Sequence, residues 1–198
     1  MSIAVVDSGG ANISSVLHAL RRLGADPVFT ADAAAIRAAD RVILPGVGAA
    51  GRAIEALAAH GLVDVIRQLR QPVLGICLGM QLLFESSEED DASLLGLIPA
   101  RLRRLEDGPG LRVPHMGWNE VHGLRPDPLT ASLEGKWFYF VHSYAAPVGD
   151  WTLSTCVHGQ PFSAIVRRDN FRGTQFHPER SAGPGAELLR SFVEVVDR

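Results

Sequence analysis

The chain has 198 residues, 46% of them hydrophobic, enough to bury a substantial core within one domain spanning residues 1–198. Its formal net charge is −3 and Lys136 is its only lysine, so neither nucleic acid nor an anionic membrane finds an electrostatic match. No apolar run approaches the ~20 residues of a spanning helix, and two cysteines, Cys77 and Cys156, exclude a disulfide framework.

The N-terminal run Met1 to Asp7 enters a strand at once and lacks the layout of a signal peptide, so a cytoplasmic protein with reduced thiols is expected. Ile3 to Val6 reads as a buried strand. Asn12 to Leu23 carries Ile13, Val16, Leu17 and Leu20 at helical spacing and ends at Gly24. A second strand is expected at Val28 to Thr30, a short helix at 33–39, and a third strand at Arg41 to Leu44. The loop Pro45-Gly46-Val47-Gly48 precedes helical stretches at 51–60 and 62–70. Strand 72–76 then runs into a sharp turn, with a helix expected over Met80 to Phe84. Alternating strands and helices imply a parallel sheet covered on both faces, with ligands beyond the carboxyl ends of the strands. Asp7, the 45–48 loop and Cys77 all fall at that end.

From about Gly96 the pattern changes. Short β-like runs at 117–121, 137–141, 152–157 and 162–167 are separated by Pro, Gly and Asp, and no long helix is expected before 186–196. These strands would extend the sheet in mixed or antiparallel fashion. Arg101, Arg103 and Arg104 read as a solvated surface. No C-x-x-C or His-x-x-x-His pattern points to a metal, and no cofactor is expected.

The chemistry concentrates at Gly75-Ile76-Cys77-Leu78-Gly79. A cysteine between a buried strand and a helix, with glycine two residues away on either side, is the pattern of a nucleophile elbow with sulfur in place of oxygen. The glycines would let the backbone turn tightly and substrate approach, and the helix start would favour a thiolate. A nucleophilic cysteine needs a base, and the base an orienting group. Gln175-Phe176-His177-Pro178-Glu179 supplies both: in an extended segment His177 and Glu179 point the same way. That works if the last strand returns beside the elbow strand. Cys156 reads as a small core residue and His18 as structural. His60, His115, His122, His142 and His158 show no partnering pattern.

The elbow and the His-Pro-Glu segment together resemble the class I (triad) glutamine amidotransferases. Leu44 to Gly48, Pro114-His115-Met116-Gly117-Trp118-Asn119 and Phe138 to Tyr144 resemble the branch of that family that feeds ammonia to a cyclase in histidine biosynthesis. The resemblance spans essentially the whole chain. It implies a three-layer α/β fold with a flavodoxin-like open sheet, mostly parallel. It further implies that Cys77 attacks the side-chain amide of glutamine, with His177 as acid and base and Glu179 orienting it. The oxyanion hole would be formed by Leu78 and Val47, and Gly48, Gln81, Glu89, His142, Ser143 and Tyr144 would hold the glutamine. The implied partner is a (β/α)8-barrel cyclase in a heterodimer, met by Trp118 and Asn119.

Three positions depart from the family pattern: Ser8 in place of a common tyrosine, Ala11 in place of glycine, and Arg180 in place of lysine. All three would lie near the partner. The residues leave open another class I amidotransferase, a peptidase-like cysteine hydrolase, a non-catalytic α/β binding module or a glutamine sensor.

Overall fold

The computed structural model describes residues 1–10 and 13–196. Its first half builds β1 (Ile3–Val6), α1 (Ile13–Arg22), β2 (Pro27–Thr30), α2 (Ala33–Ala38), β3 (Arg41–Leu44), α3 (Ala50–Ala59), α4 (Val63–Arg67) and β4 (Val73–Ile76), close to the expected order. The expected helix start at Asn12 lies outside the described residues, as does Ala11.

Past β4 the chain departs from expectation. The apolar run Met80 to Phe84 is not one helix: α5 (Leu78–Gln81) is a single turn, and Phe84 opens β5 (Phe84–Ser87). Then follow β6 (Ile98–Arg104), β7 (His115–Glu120), β8 (Trp137–His142), β9 (Tyr144–Ala145), β10 (Thr152–His158), β11 (Gln160–Arg168), β12 (Phe171–Thr174) and α6 (Ala182–Glu194), with 3₁₀ turns at Glu89–Asp91 and Pro178–Arg180.

Seven strands form the main sheet in the order β10-β11-β12-β4-β3-β1-β2. The run β2-β1-β3-β4-β12 is parallel, with Ile3 opposite both Pro27 and Arg41, Leu44 opposite Gly75, and Thr174 opposite Ile76. That is the flavodoxin-like order, continued by antiparallel β11 and β10. The other late strands do not extend this sheet: β5, β6 and β9 form a small sheet of their own, and β7 and β8 an antiparallel ribbon.

Period-two alternation divides the core. Ile3, Val5, Ile43, Leu74 and Ile76 face one layer, with Leu20 of α1, Leu188 and Phe192 of α6, and Phe138 and Phe140 of β8. Ala4, Val6, Val42, Leu44 and Val73 face the other, with Ile36, Leu57 and Ile66 of α2 to α4 and Phe84 of β5. Fully buried strands between two helical layers place the carboxyl ends of β3, β4 and β12 side by side.

Candidate active site

At the end of β4 the chain reverses at Cys77, whose φ of 53° and ψ of −110° hold a non-glycine residue in a sparsely populated backbone region. Neighbours enforce it: the Cys77 N–H donates to the Thr174 carbonyl at 2.8 Å, and the Cys77 carbonyl accepts from the Gln81 N–H at 3.1 Å. The flanking glycines admit neighbouring backbone rather than substrate. A Cβ on Gly75 would stand 2.5 Å from the Gly79 carbonyl oxygen, and one on Gly79 1.7 Å from that of Leu44.

β12 delivers His177 beside this elbow. Its N–H donates to the Tyr139 carbonyl at 2.9 Å and its carbonyl accepts from Ser181 Oγ at 2.6 Å. The segment is extended only at His177; Pro178–Arg180 is a 3₁₀ turn, which brings Glu179 back so that Oε1 lies 2.8 Å from His177 Nδ1. The two side chains are 6% and 5% exposed. Among the described residues, His177 Nε2 and Glu179 Oε2 have no hydrogen-bond partner. With Nδ1 held by the carboxylate, Nε2 is the atom free for proton transfer. Burial pushes the imidazole pKa down, but the Cys77 sulfur and the Glu179 carboxylate outweigh it and raise it to about 10. The sulfur itself rests 3.9 Å from both the Val141 carbonyl and Gln175 Nε2.

A pocket of about 280 Å³ opens over Cys77 and His177. Val47, Gly48 and Leu78 form one side; Gln81, Glu89, His142, Ser143 and Tyr144 form the rest, joined by Pro114 and Val141, which sequence reasoning missed. Glu179 stays outside this pocket, behind His177 and among Ile13, Val16, Pro45 and Ile76. Gly48 has a φ of +100°, a conformation that favours glycine.

The family model for glutamine amidotransferase class-I matches residues 4–196. The chain belongs to the class I glutamine amidotransferase family. Curated relatives named imidazole glycerol phosphate synthase subunit HisH, from Xylella fastidiosa (strain Temecula1) and Xanthomonas axonopodis pv. citri, are each 52% identical over 194 residues, 98% of this chain and 97% of theirs. Among solved structures, one described as a glutamine amidotransferase superposes with a TM-score of 0.75 at 19% identity, covering 97% of each chain. A putative GMP synthase component from Thermoplasma acidophilum gives 0.74 at 20% identity, covering 98% of this chain and 92% of that one. At those identities the likeness is one of fold.

Within this class I amidotransferase pocket the hydrogen bonds refine the expected parts. Both hydrogens of Gln81 Nε2 are taken, by the Tyr144 carbonyl at 2.9 Å and Gln175 Oε1 at 3.0 Å, so Gln81 has only its Oε1 acceptor to offer a ligand. Glu89 Oε2 accepts from the Ala50 N–H at 2.8 Å and caps α3, which has no side-chain cap of its own. His142 lines the pocket but cannot bond a ligand as expected. Its Nε2 lies 3.0 Å from His115 Nδ1 and its Nδ1 2.9 Å from the Tyr144 carbonyl.

Two expectations about the partner surface also change. Trp118 is exposed beside Met116, but Asn119 turns inward, donating to the Val157 carbonyl at 3.0 Å. Ser8 is buried, with Oγ donating to the Pro45 carbonyl at 2.8 Å, so it braces the 45–48 loop from within. Arg180 is exposed, its guanidinium 5.0 Å from the centre of the Tyr139 ring. Gln175, two residues before His177 and given no role by sequence reasoning, places Nε2 3.9 Å from the Cys77 sulfur.

Proposed function

We propose that this chain is the HisH-type glutaminase subunit of an imidazole glycerol phosphate synthase, acting in histidine biosynthesis. It is one amidotransferase domain over residues 1–198. The observation that carries this reading is the buried 2.8 Å His177–Glu179 pair beside a cysteine held at positive φ, at the floor of a pocket sized for an amino acid.

Glutamine enters with its α-ammonium toward the acceptors Gln81 Oε1 and Glu89 and its side-chain amide over Cys77. His177, held as the imidazolium at neutral pH by its raised pKa, carries the proton on Nε2 beside Cys77, and the Cys77 sulfur attacks the amide carbon. Negative charge develops on the amide oxygen, which the backbone N–H groups of Leu78 and Val47 receive. The tetrahedral intermediate collapses as His177 gives its proton to the amide nitrogen, releasing ammonia and leaving a γ-glutamyl thioester on Cys77. His177 then takes a proton from water, whose attack frees glutamate and Cys77. Glu179 fixes the imidazole tautomer and stabilises the imidazolium in both half-reactions.

The ammonia passes to a (β/α)8-barrel cyclase subunit, which uses it to form imidazole glycerol phosphate and an aminoimidazole carboxamide ribotide. In water at neutral pH most ammonia would be protonated and lost as a nucleophile, so transfer across a closed interface keeps it reactive. Met116 and Trp118, 64% and 49% exposed on one face of β7, supply an apolar surface for that partner. A cytoplasmic location belongs to the same reading, since Cys77 works only as a reduced thiol. Among the described residues, no helix is long and apolar enough to cross a membrane.

Glutamate release by the chain with its cyclase, with and without the cyclase substrate, tests this reading. Glutamine-dependent turnover that disappears in Cys77→Ala supports it. No glutamate from the intact complex overturns it.

A further inference from the structure

Strand β7 faces two ways. Met116 and Trp118 point to solvent, while His115 and Asn119 point inward. From the inward face a line of hydrogen bonds runs to the nucleophile. Asn119 Nδ2 lies 3.2 Å from His115 Nε2, His115 Nδ1 3.0 Å from His142 Nε2, and His142 Nδ1 2.9 Å from the Tyr144 carbonyl oxygen. The same carbonyl accepts from Gln81 Nε2 at 2.9 Å. That nitrogen also donates to Gln175 Oε1 at 3.0 Å, and Gln175 Nε2 faces Cys77 Sγ at 3.9 Å.

Every bond in this line has a forced direction. A carbonyl only accepts, so His142 Nδ1 carries the hydrogen and Nε2 of a neutral ring must accept. His115 Nδ1 is therefore the donor, and its Nε2 accepts from the Asn119 amide. The Asn119 amide is oriented independently: its Oδ1 accepts from the Glu120 N–H at 2.8 Å. At the other end Gln175 cannot flip, because Gln81 fixes its oxygen, so an N–H is what it turns to the sulfur. Burial keeps both rings neutral, with His142 pushed down to about 3 and His115 to about 4. The mechanism above uses neither histidine, nor Gln175.

We propose that this hydrogen-bond line sets the position of the Cys77 sulfur, with Gln175 presenting an N–H to it and His115 acting as a positioning residue through which strand β7 reaches the nucleophile. It links the face offered to the cyclase with the group that attacks glutamine, and in that respect rests on the glutaminase reading. Its local part, the link from His115 to Cys77, does not need that reading.

The ring stack permits a clean test. His115 lies against Phe140 at 4.9 Å and His158 at 4.2 Å, both nearly parallel, so His115→Phe keeps the stack and removes only the polar atoms. His115→Asn returns a donor where Nδ1 stood. Two quantities are measured on the complex with its cyclase: the rate of Cys77 alkylation by iodoacetamide at neutral pH, located by peptide mass, and kcat and KM for glutamate release. Cys156, buried and pushed up to about 12, leaves the label to Cys77. His115→Phe should slow alkylation and lower kcat about tenfold with KM within about twofold, and His115→Asn should recover both to within about threefold. Equal losses in the two variants, or an unchanged alkylation rate in His115→Phe, overturn the proposal. Should His115→Phe fail to fold, Gln175→Glu replaces the N–H facing the sulfur with an oxygen while keeping the acceptor for Gln81. It should slow alkylation by at least about tenfold, and an unchanged rate overturns the proposal equally. Alkylation needs no glutamine, so an inactive wild-type complex would count against the glutaminase reading and leave this test standing.

Discussion

His177 Nδ1 and Glu179 Oε1 lie 2.8 Å apart across Pro178, in a 3₁₀ turn that follows β12. The turn makes the carboxylate a neighbour of the imidazole from the side away from the pocket over Cys77. The pair is thus formed before substrate arrives, and Nε2 is already aimed at the pocket.

This arrangement ranks two substitutions. His177→Ala removes the group that holds the proton beside Cys77 and delivers it to the leaving nitrogen, and kcat should fall by at least about a thousandfold. Glu179→Gln keeps a neighbour for Nδ1 but not its charge, so the loss should be smaller, about ten- to a hundredfold. Steady-state glutamate release by the complex measures both. Equal losses would give Glu179 a part other than orienting the base.

Cys77→Ser should fold and bind the cyclase normally yet abolish glutamine-dependent turnover. Cyclisation driven by added ammonia should survive, because the two half-reactions sit on different subunits. Loss of the ammonia-dependent reaction as well would contradict that division.

The elbow glycines predict stability rather than chemistry. Gly79→Ala would drive a Cβ to 1.7 Å from the Leu44 carbonyl oxygen, and Gly75→Ala to 2.5 Å from that of Gly79. Neither neighbour is a flexible side chain, so each substitution should cost more than about 3 kcal/mol in urea unfolding. Gly24→Ala, with open space around its Cβ but a φ of +81°, should cost only about 1 kcal/mol.

Stability should also fall in mild acid. His142 and His115 are held near pKa values of about 3 and about 4, whereas in the unfolded chain both titrate near 6.5. Between those values the unfolded chain binds protons that the folded chain refuses, so their contribution is present above 6.5 and lost as pH falls toward 4. His177, raised to about 10 from 6.5, contributes in the other direction: its share is full below 6.5 and lost as pH rises through 10. Unfolding free energy should peak near neutral pH and drop by roughly 2 kcal/mol or more by pH 5. A flat profile from pH 7 to 5 would mean that the two rings are not held neutral.

What could be read from the sequence was local. Ile3 to Val6 and Arg41 to Leu44 announce buried strands by their own composition, and Cys77 announces an elbow by its two glycines. β12 was missed because Phe171-Arg172-Gly173-Thr174 does not look like an interior strand. Arg172 is accommodated there by Asp127, distant in sequence, which meets its Nε at 3.0 Å with both side chains buried. β5 was missed because Leu82, Leu83 and Phe84 continue an apolar run that a helix would also produce. The three stacked or bonded histidines, His115, His142 and His158, come from different strands, so no spacing in the chain could have paired them. The resemblance named most of the residues that line the pocket over Cys77. The way Gln81 and His142 spend their hydrogen bonds was not, since their partners Gln175, Tyr144 and His115 are set by the fold.

During turnover Cys77 should carry a γ-glutamyl group. Acid quenching of the complex with glutamine in its first turnover, followed by intact and peptide mass spectrometry, reads this directly. A glutamyl adduct confined to the Cys77 peptide, labile to hydroxylamine and missing in Cys77→Ser, is the expected result. Glutamate release at full rate with no adduct on Cys77, or persisting in Cys77→Ser, would contradict the account.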